Sequence, residues 1–172
     1  MLVRVSLAVA IASFACAGNS AAGEQQRVGE HGVTVVLPTG WHTMPSPLAG
    51  LTPSVTDPLT RIVAVSSPFH FAAGGCQAAA YAFRRSAVAI VVVEWVKLGR
   101  GEHWTPRPSE FSPDALPLHD PTAIECFDGR GGSVEFADHG RRLGAYLLVG
   151  TRARPALVMR ARALLDTLRV SG

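Results

Sequence analysis

Residues 87–96, AVAIVVVEWV, are the longest apolar run outside the N-terminus and leave the chain few choices. Crossing a bilayer takes about 20 apolar residues, so a run this short does not span one. Its β-branched content suits a strand, and a strand with no polar alternation must be covered on both faces. The run therefore predicts a sheet built around it, with other strands pairing outward and two helices packed on a face.

The 172 residues suit one domain plus a targeting segment. With 48% of residues hydrophobic and 17% charged, the composition is that of a folded globule. A formal net charge of +3 is far below what a nucleic-acid partner asks for. Lys97 is the only lysine and arginine supplies the other basic side chains, a bias that a GC-rich genome explains. Arginine abundance as such therefore carries little functional weight.

The N-terminus sets the compartment. A short positive region, residues 1–4, precedes an apolar stretch over 5–17, and Ala15-Cys16-Ala17 offers a small-residue cleavage site before Gly18. Residues 1–17 read as a signal peptide, which makes the protein exported: secreted, or associated with a bacterial cell envelope. Cys16 opens a second reading, a lipidated cysteine acting as a membrane tether, but Ser13-Phe14 fit that pattern poorly. Once residues 1–17 are removed, Cys76 and Cys126 remain as an even pair in an oxidising compartment, and a disulfide is expected. No C-x-x-C or zinc spacing favours a nucleophile or a metal ligand instead.

Residues 18–30 read as a disordered lead-in and 31–172 as a single domain. Strands are expected at 31–37 and 60–66, a helix at 76–85 (CQAAAYAFRR), then the buried strand. Residues 98–121 carry Pro106, Pro108, Pro113, Pro117 and Pro121 without periodicity, a loop long enough to be functional or mobile. Strands at 122–127, 133–137 and 143–149 follow, with Gly129–Gly132 as a turn and Asp138-His139-Gly140 closing a hairpin. A helix over 154–168 puts Leu157, Ala161, Leu164, Leu165 and Leu168 on one face, and Arg160, Arg162, Asp166 and Arg169 on the rest. The fold class expected is α+β, one largely antiparallel sheet with two helices packed on it.

GVTVVLPTGWH, RPSEF, FADHGRRLGAYLLVG and LLDTLRV together resemble small exported proteins of actinobacteria and their relatives, which have no assigned activity. The strand–Pro–Gly–Trp opening and the C-terminal helix running into a short final strand are similar to the PsbP-like superfamily. That resemblance implies a layered α/β sandwich that binds other proteins, and brings no catalytic residue with it.

Six histidines (His31, His42, His70, His103, His119 and His139) form no H-x-x-x-H pair, so no metal and no cofactor is expected. No G-x-S-x-G elbow is present either. Glu94 is the single charge in the apolar run; it either meets an arginine at the strand end or acts, with Glu135, as an acid/base pair. Trp41, His103, Trp104, Arg107 and Phe111 form the candidate binding surface, since Trp and Arg are common interface anchors. Against that stands the plainer reading, Trp41 in the core and the loop aromatics pinning the loop. Arg141, Arg142, Arg152 and Arg154 make a basic group, suited to an anionic lipid or polymer or else simply solvated. The function expected is a non-catalytic binding domain for an unknown protein or envelope component. The alternative is a small hydrolase or ligand-binding enzyme with its site on the 98–121 loop.

Overall fold

The computed structural model describes residues 26–43, 57–71, 81–82, 84–97, 103–119 and 127–172. The apolar run becomes the central strand β7 (Val88–Glu94), every residue of which is buried. Before it come β1 (Gln26–Glu30), β2 (Val33–Leu37), β3 (His42–Thr43), β4 (Leu59–Val65), β5 (His70–Phe71) and β6 (Tyr81–Ala82). After it come β8 (Gly129–Asp138), β9 (Arg141–Gly150), α1 (Pro155–Asp166) and β10 (Arg169–Val170). A five-stranded sheet runs β3-β4-β7-β9-β8, a three-stranded sheet runs β1-β2-β10, and β5 pairs with β6. These pairings are all antiparallel.

The single sheet with two helices, the PsbP-like layered sandwich, is therefore corrected to separate sheets and, among the described residues, one helix. Two physical causes account for it. First, β2 has no free edge to offer the central sheet. The His31-Gly32 turn (φ 49° and 77°) folds β1 onto one edge, and β10 takes the other. Residues 26–30, expected within the disordered lead-in, are that β1. Second, the alanine-rich tract 76–85 has helix propensity, yet Tyr81–Ala82 pair with β5 and Arg84–Ala87 turn into β7 through a 2.8 Å bond from the Ala87 N–H to the Arg84 carbonyl. Propensity over one short window is a weak prior that tertiary pairing overrides. The rest of that tract lies outside the described residues, as do residues 1–17 and most of the strand expected at 122–127.

The hairpin holds, with longer arms, around His139 (φ 49°) and Gly140 (φ 74°), the two positive-φ positions of a tight turn matched to strand twist. Gly129–Gly132 is strand and not turn. A Cβ at Gly132 would stand 1.9 Å from the Pro117 carbonyl oxygen, so its small size lets residues 103–119 lie against the strand.

Both faces of β7 are covered. Val88, Ile90 and Val92 join Ile62 and Ala64 of β4 in a core closed by β2 (Val33, Val35, Leu37) and α1 (Ala161, Leu164, Leu165). Ala89, Val91 and Val93 join Val63, Val65 and Leu148 on the opposite face. Each fully buried Val or Ile contributes about 1.5–3 kcal/mol, so this strand is a large share of the stability.

The expected Cys76–Cys126 disulfide is also corrected. Among the described residues no disulfide is present, and both cysteines lie outside them. An even cysteine pair is a compositional argument, whereas a bridge needs Cα atoms within about 7 Å, which composition does not supply.

An ionic junction ties the two larger sheets together instead. Glu94 Oε2 accepts from Arg61 Nε at 2.7 Å and from Arg141 Nη2 at 2.7 Å, while Oε1 accepts from Arg141 Nε at 2.8 Å. Arg141 Nη1 reaches on to the His31 carbonyl at 2.8 Å and the Ser171 carbonyl at 3.2 Å, at the turn of β1–β2 and the end of β10. The Arg141 hydrogen bonds hold the Glu94 carboxyl below the usual carboxylate range, Arg61 adding to the effect and burial opposing it. A carboxylate depressed in the folded state adds stability above its unfolded pKa, and that stability is lost as pH falls through the folded value. Urea unfolding should show the wild type losing stability below about pH 4.3. Glu94→Gln should be less stable by about 3 kcal/mol at neutral pH. The gap between the two should close in acid; parallel pH curves would exclude this role for Glu94.

Candidate binding site

Of the five residues expected to form the binding surface, Trp41, Phe111 and Arg107 are engaged in holding the fold. Trp41 is 7% exposed and sits in the core under β2, its N–H closing the turn onto the Pro38 carbonyl at 3.1 Å. Phe111 is 1% exposed and meets Phe136 edge-on at 5.7 Å between ring centroids. Arg107 lies 5.7 Å over the Phe111 ring and donates through Nη1 to the Leu168 carbonyl at 2.8 Å and to Asp138 Oδ2 at 3.3 Å. Trp104 is partly buried and His103 exposed. The set is not gathered on one face: two members are core, one is an anchor, and His103 alone is open to solvent.

Residue 162 ties the 103–119 segment to the helix. Arg162 is 6% exposed, against its expected place on the polar side of the helix, and points under the loop. Its Nη1 donates to the Phe111 carbonyl at 2.8 Å and the Ser112 carbonyl at 2.7 Å, and its Nη2 to the Leu116 carbonyl at 2.8 Å. One helical turn on, Asp166 Oδ1 accepts the Phe111 N–H at 2.7 Å. A proline-rich segment cannot pair its carbonyls in a ladder, and buried acceptors left alone are costly. A guanidinium, with five donors in a rigid fork, satisfies three of them at once.

The acid/base pair is excluded by register. Glu94 pairs with Leu143 and shares the face of Val88, Ile90 and Val92, whereas Glu135 pairs with Gly144, which pairs with Val93. Side chains alternate across a strand, so the two carboxylates leave opposite faces of the sheet. The six histidines are dispersed over turns, short strands and the loop, His139 Nδ1 lying 2.7 Å from Asp138 Oδ1. Among the described residues no group of three or more His, Cys, Asp and Glu is placed to hold a metal ion.

Of the basic group, Arg141 is consumed by Glu94, and Arg142 leans to the Val96 carbonyl at 3.4 Å. Arg152 and Arg154 find different company. They line a cleft of about 590 Å³ with Arg84 and Arg160, whose wall also includes Ser66, Ser67, Ser86, Gly40 and the first turn of α1. All four arginines are exposed, and among the described residues no carboxylate lines the cleft and none of the four makes an ion pair.

Backbone packing brings these side chains together from separate segments. The Arg152 N–H donates to the Arg85 carbonyl at 2.8 Å and the Gly150 N–H to the Ala87 carbonyl at 3.0 Å, stitching the β9–α1 connection to the turn before β7. A Cβ at Gly150 would fall 2.3 Å from the Arg85 carbonyl oxygen, so only glycine permits the approach. On the other side, Ser66 Oγ accepts the Val88 N–H at 2.9 Å. α1 opens at Pro155 with no side-chain cap and no acidic residue in its first turn, which leaves the positive end of its dipole facing the cleft. Every charge and dipole here has the same sign, the arrangement of an anion site.

Neither a family model, a curated protein nor a solved structure matches this chain.

Arg162→Leu should lower the urea-unfolding stability by about 3 kcal/mol, because three carbonyls lose their donor in a buried place. It should also raise hydrogen exchange across residues 111–116. A loss under about 1 kcal/mol with unchanged exchange would mean that the loop is held by other contacts.

Proposed function

We propose that the protein is an exported cell-envelope or secreted domain that works by binding, and that the arginine-lined cleft is where it binds an anionic component. The observation that carries this is the convergence of Arg84, Arg152, Arg154 and Arg160 on a cleft that, among the described residues, no carboxylate lines. Like charges repel, and a counter-charge supplied by a ligand relieves that repulsion with a gain in affinity. Export rests on residues 1–17, with Cys16 as a membrane tether the alternative. Support for binding over hydrolysis on the 98–121 loop comes from the use of Arg107, Phe111 and Asp138 to hold that loop.

A panel of small dianions (sulfate, phosphate, succinate and pyrophosphate) tests the cleft by thermal unfolding. At least one should raise Tm, as ligand binding to the folded state requires. An Arg152→Ala, Arg160→Ala double variant should keep or slightly raise the ligand-free Tm, both residues being exposed and their mutual repulsion relieved, and lose the shift. No stabilisation by any dianion, or equal stabilisation of the variant, would refute the site.

A further inference from the structure

We infer that the anion held by the cleft is a phosphate ester carrying its full double charge, an inference that rests on reading the cleft as an anion site. The donors approach from three sides. Ser66 and Ser67 follow β4, Arg84 and Ser86 lie in the turn before β7, and Arg152, Arg154 and Arg160 come from the β9–α1 connection and the helix. A carboxylate offers two oxygens in one plane and is met by one or two guanidinium forks. A phosphate ester spreads three terminal oxygens over a cone, and can take forks and hydroxyls from several directions at once.

Two details favour the tetrahedral group. Ser66 Oγ spends a lone pair on the Val88 N–H, which fixes the hydroxyl and leaves its proton to donate. The first turn of α1, uncapped and free of acidic residues, borders the cleft at Ala156 and Leu157. Pro155 carries no N–H and the Leu157 N–H is taken by the Arg154 carbonyl at 2.9 Å, so what the turn supplies is the positive end of its dipole, which favours a doubly charged group. Among the described residues no aromatic side chain lines the cleft, so these offer a nucleotide base nothing to stack on. What is recognised is the phosphate itself, whether on a small soluble ester or on a lipid headgroup.

Charge state supplies a signature. A phosphate monoester gains its second negative charge near pH 6, as phosphorylated side chains do. Among the described residues the ionisable groups that face the cleft are the four arginines, with neither histidine nor carboxylate. A guanidinium is a fixed positive charge in proteins, so a pH dependence of binding belongs to the ligand.

Calorimetric titration with glycerol phosphate, succinate and sulfate, at constant ionic strength and at about pH 7.5 and pH 5, tests the inference. Glycerol phosphate should bind more tightly than succinate and weaken about tenfold at the lower pH, as the dianion disappears. Sulfate should be indifferent to pH. Arg160→Lys, which keeps the charge and loses the fork, should weaken glycerol phosphate with the Tm unchanged. Cosedimentation with phosphatidylcholine vesicles, with and without phosphatidic acid, separates the sources. Binding to the acidic vesicles alone points to a lipid phosphate, binding to glycerol phosphate alone to a soluble ester, and both outcomes support the inference. Succinate binding as tightly as glycerol phosphate, or a phosphate affinity that ignores pH, overturns the phosphate ester while the anion site stands. If no anion and no vesicle binds, both fall.

Discussion

Strand β7 is buried on both faces, and that requirement organises everything around it. One face calls for a cover of helix and a second sheet, so α1 and β2 pack there. The two ends of the strand then do different work. At its C-terminal end Glu94 carries the only charge of the strand and is neutralised by Arg61 and Arg141, the latter reaching across to the small sheet. At its N-terminal end Ala87 and Val88 are bound by Gly150 and Ser66, and that junction is the floor on which the arginine cleft is assembled.

Arginine plays three roles in this molecule, and burial separates them. Arg61 and Arg141 balance a buried carboxylate; Arg107 and Arg162 act as backbone donors for a segment that cannot pair with itself. Breaking a partner of either kind leaves polar groups stranded, so these are structural arginines. Arg84, Arg152, Arg154 and Arg160 have no such employment among the described residues, and their clustering carries an electrostatic cost that nothing in the cleft wall offsets. Residual charge of one sign in a concave place is a functional signal that a residue count cannot give.

The strands were legible where alternation or burial wrote them: β2 alternates, β4 and β7 are near-continuous apolar runs, the β8–β9 hairpin is marked by its turn, and α1 follows its leucines. The division into sheets was not, because it depends on β2 having both edges taken, one by residues 26–30 and one by the chain end, and neither partner has a strong strand pattern. Arg162 shows a subtler failure. It stands four residues after Val158 and three before Leu165, on the apolar stripe by helical spacing, but its charge argued for solvent. The loop's lack of internal donors was the missing clue. The cleft was half visible: Arg152 and Arg154 stood out as basic and Arg160 follows on the helix they lead into, but Arg84 joins them only through the Gly150 contact, which no spacing rule encodes.

Backbone amide shifts mapped by NMR during titration with glycerol phosphate bear most directly on where this protein works. Perturbations clustered at residues 66–67, 84–87 and 152–160, with residues 103–111 unmoved, are what an arginine cleft beside a pinned loop predicts. Shifts confined to residues 103–111, or scattered evenly over every exposed arginine, would contradict it.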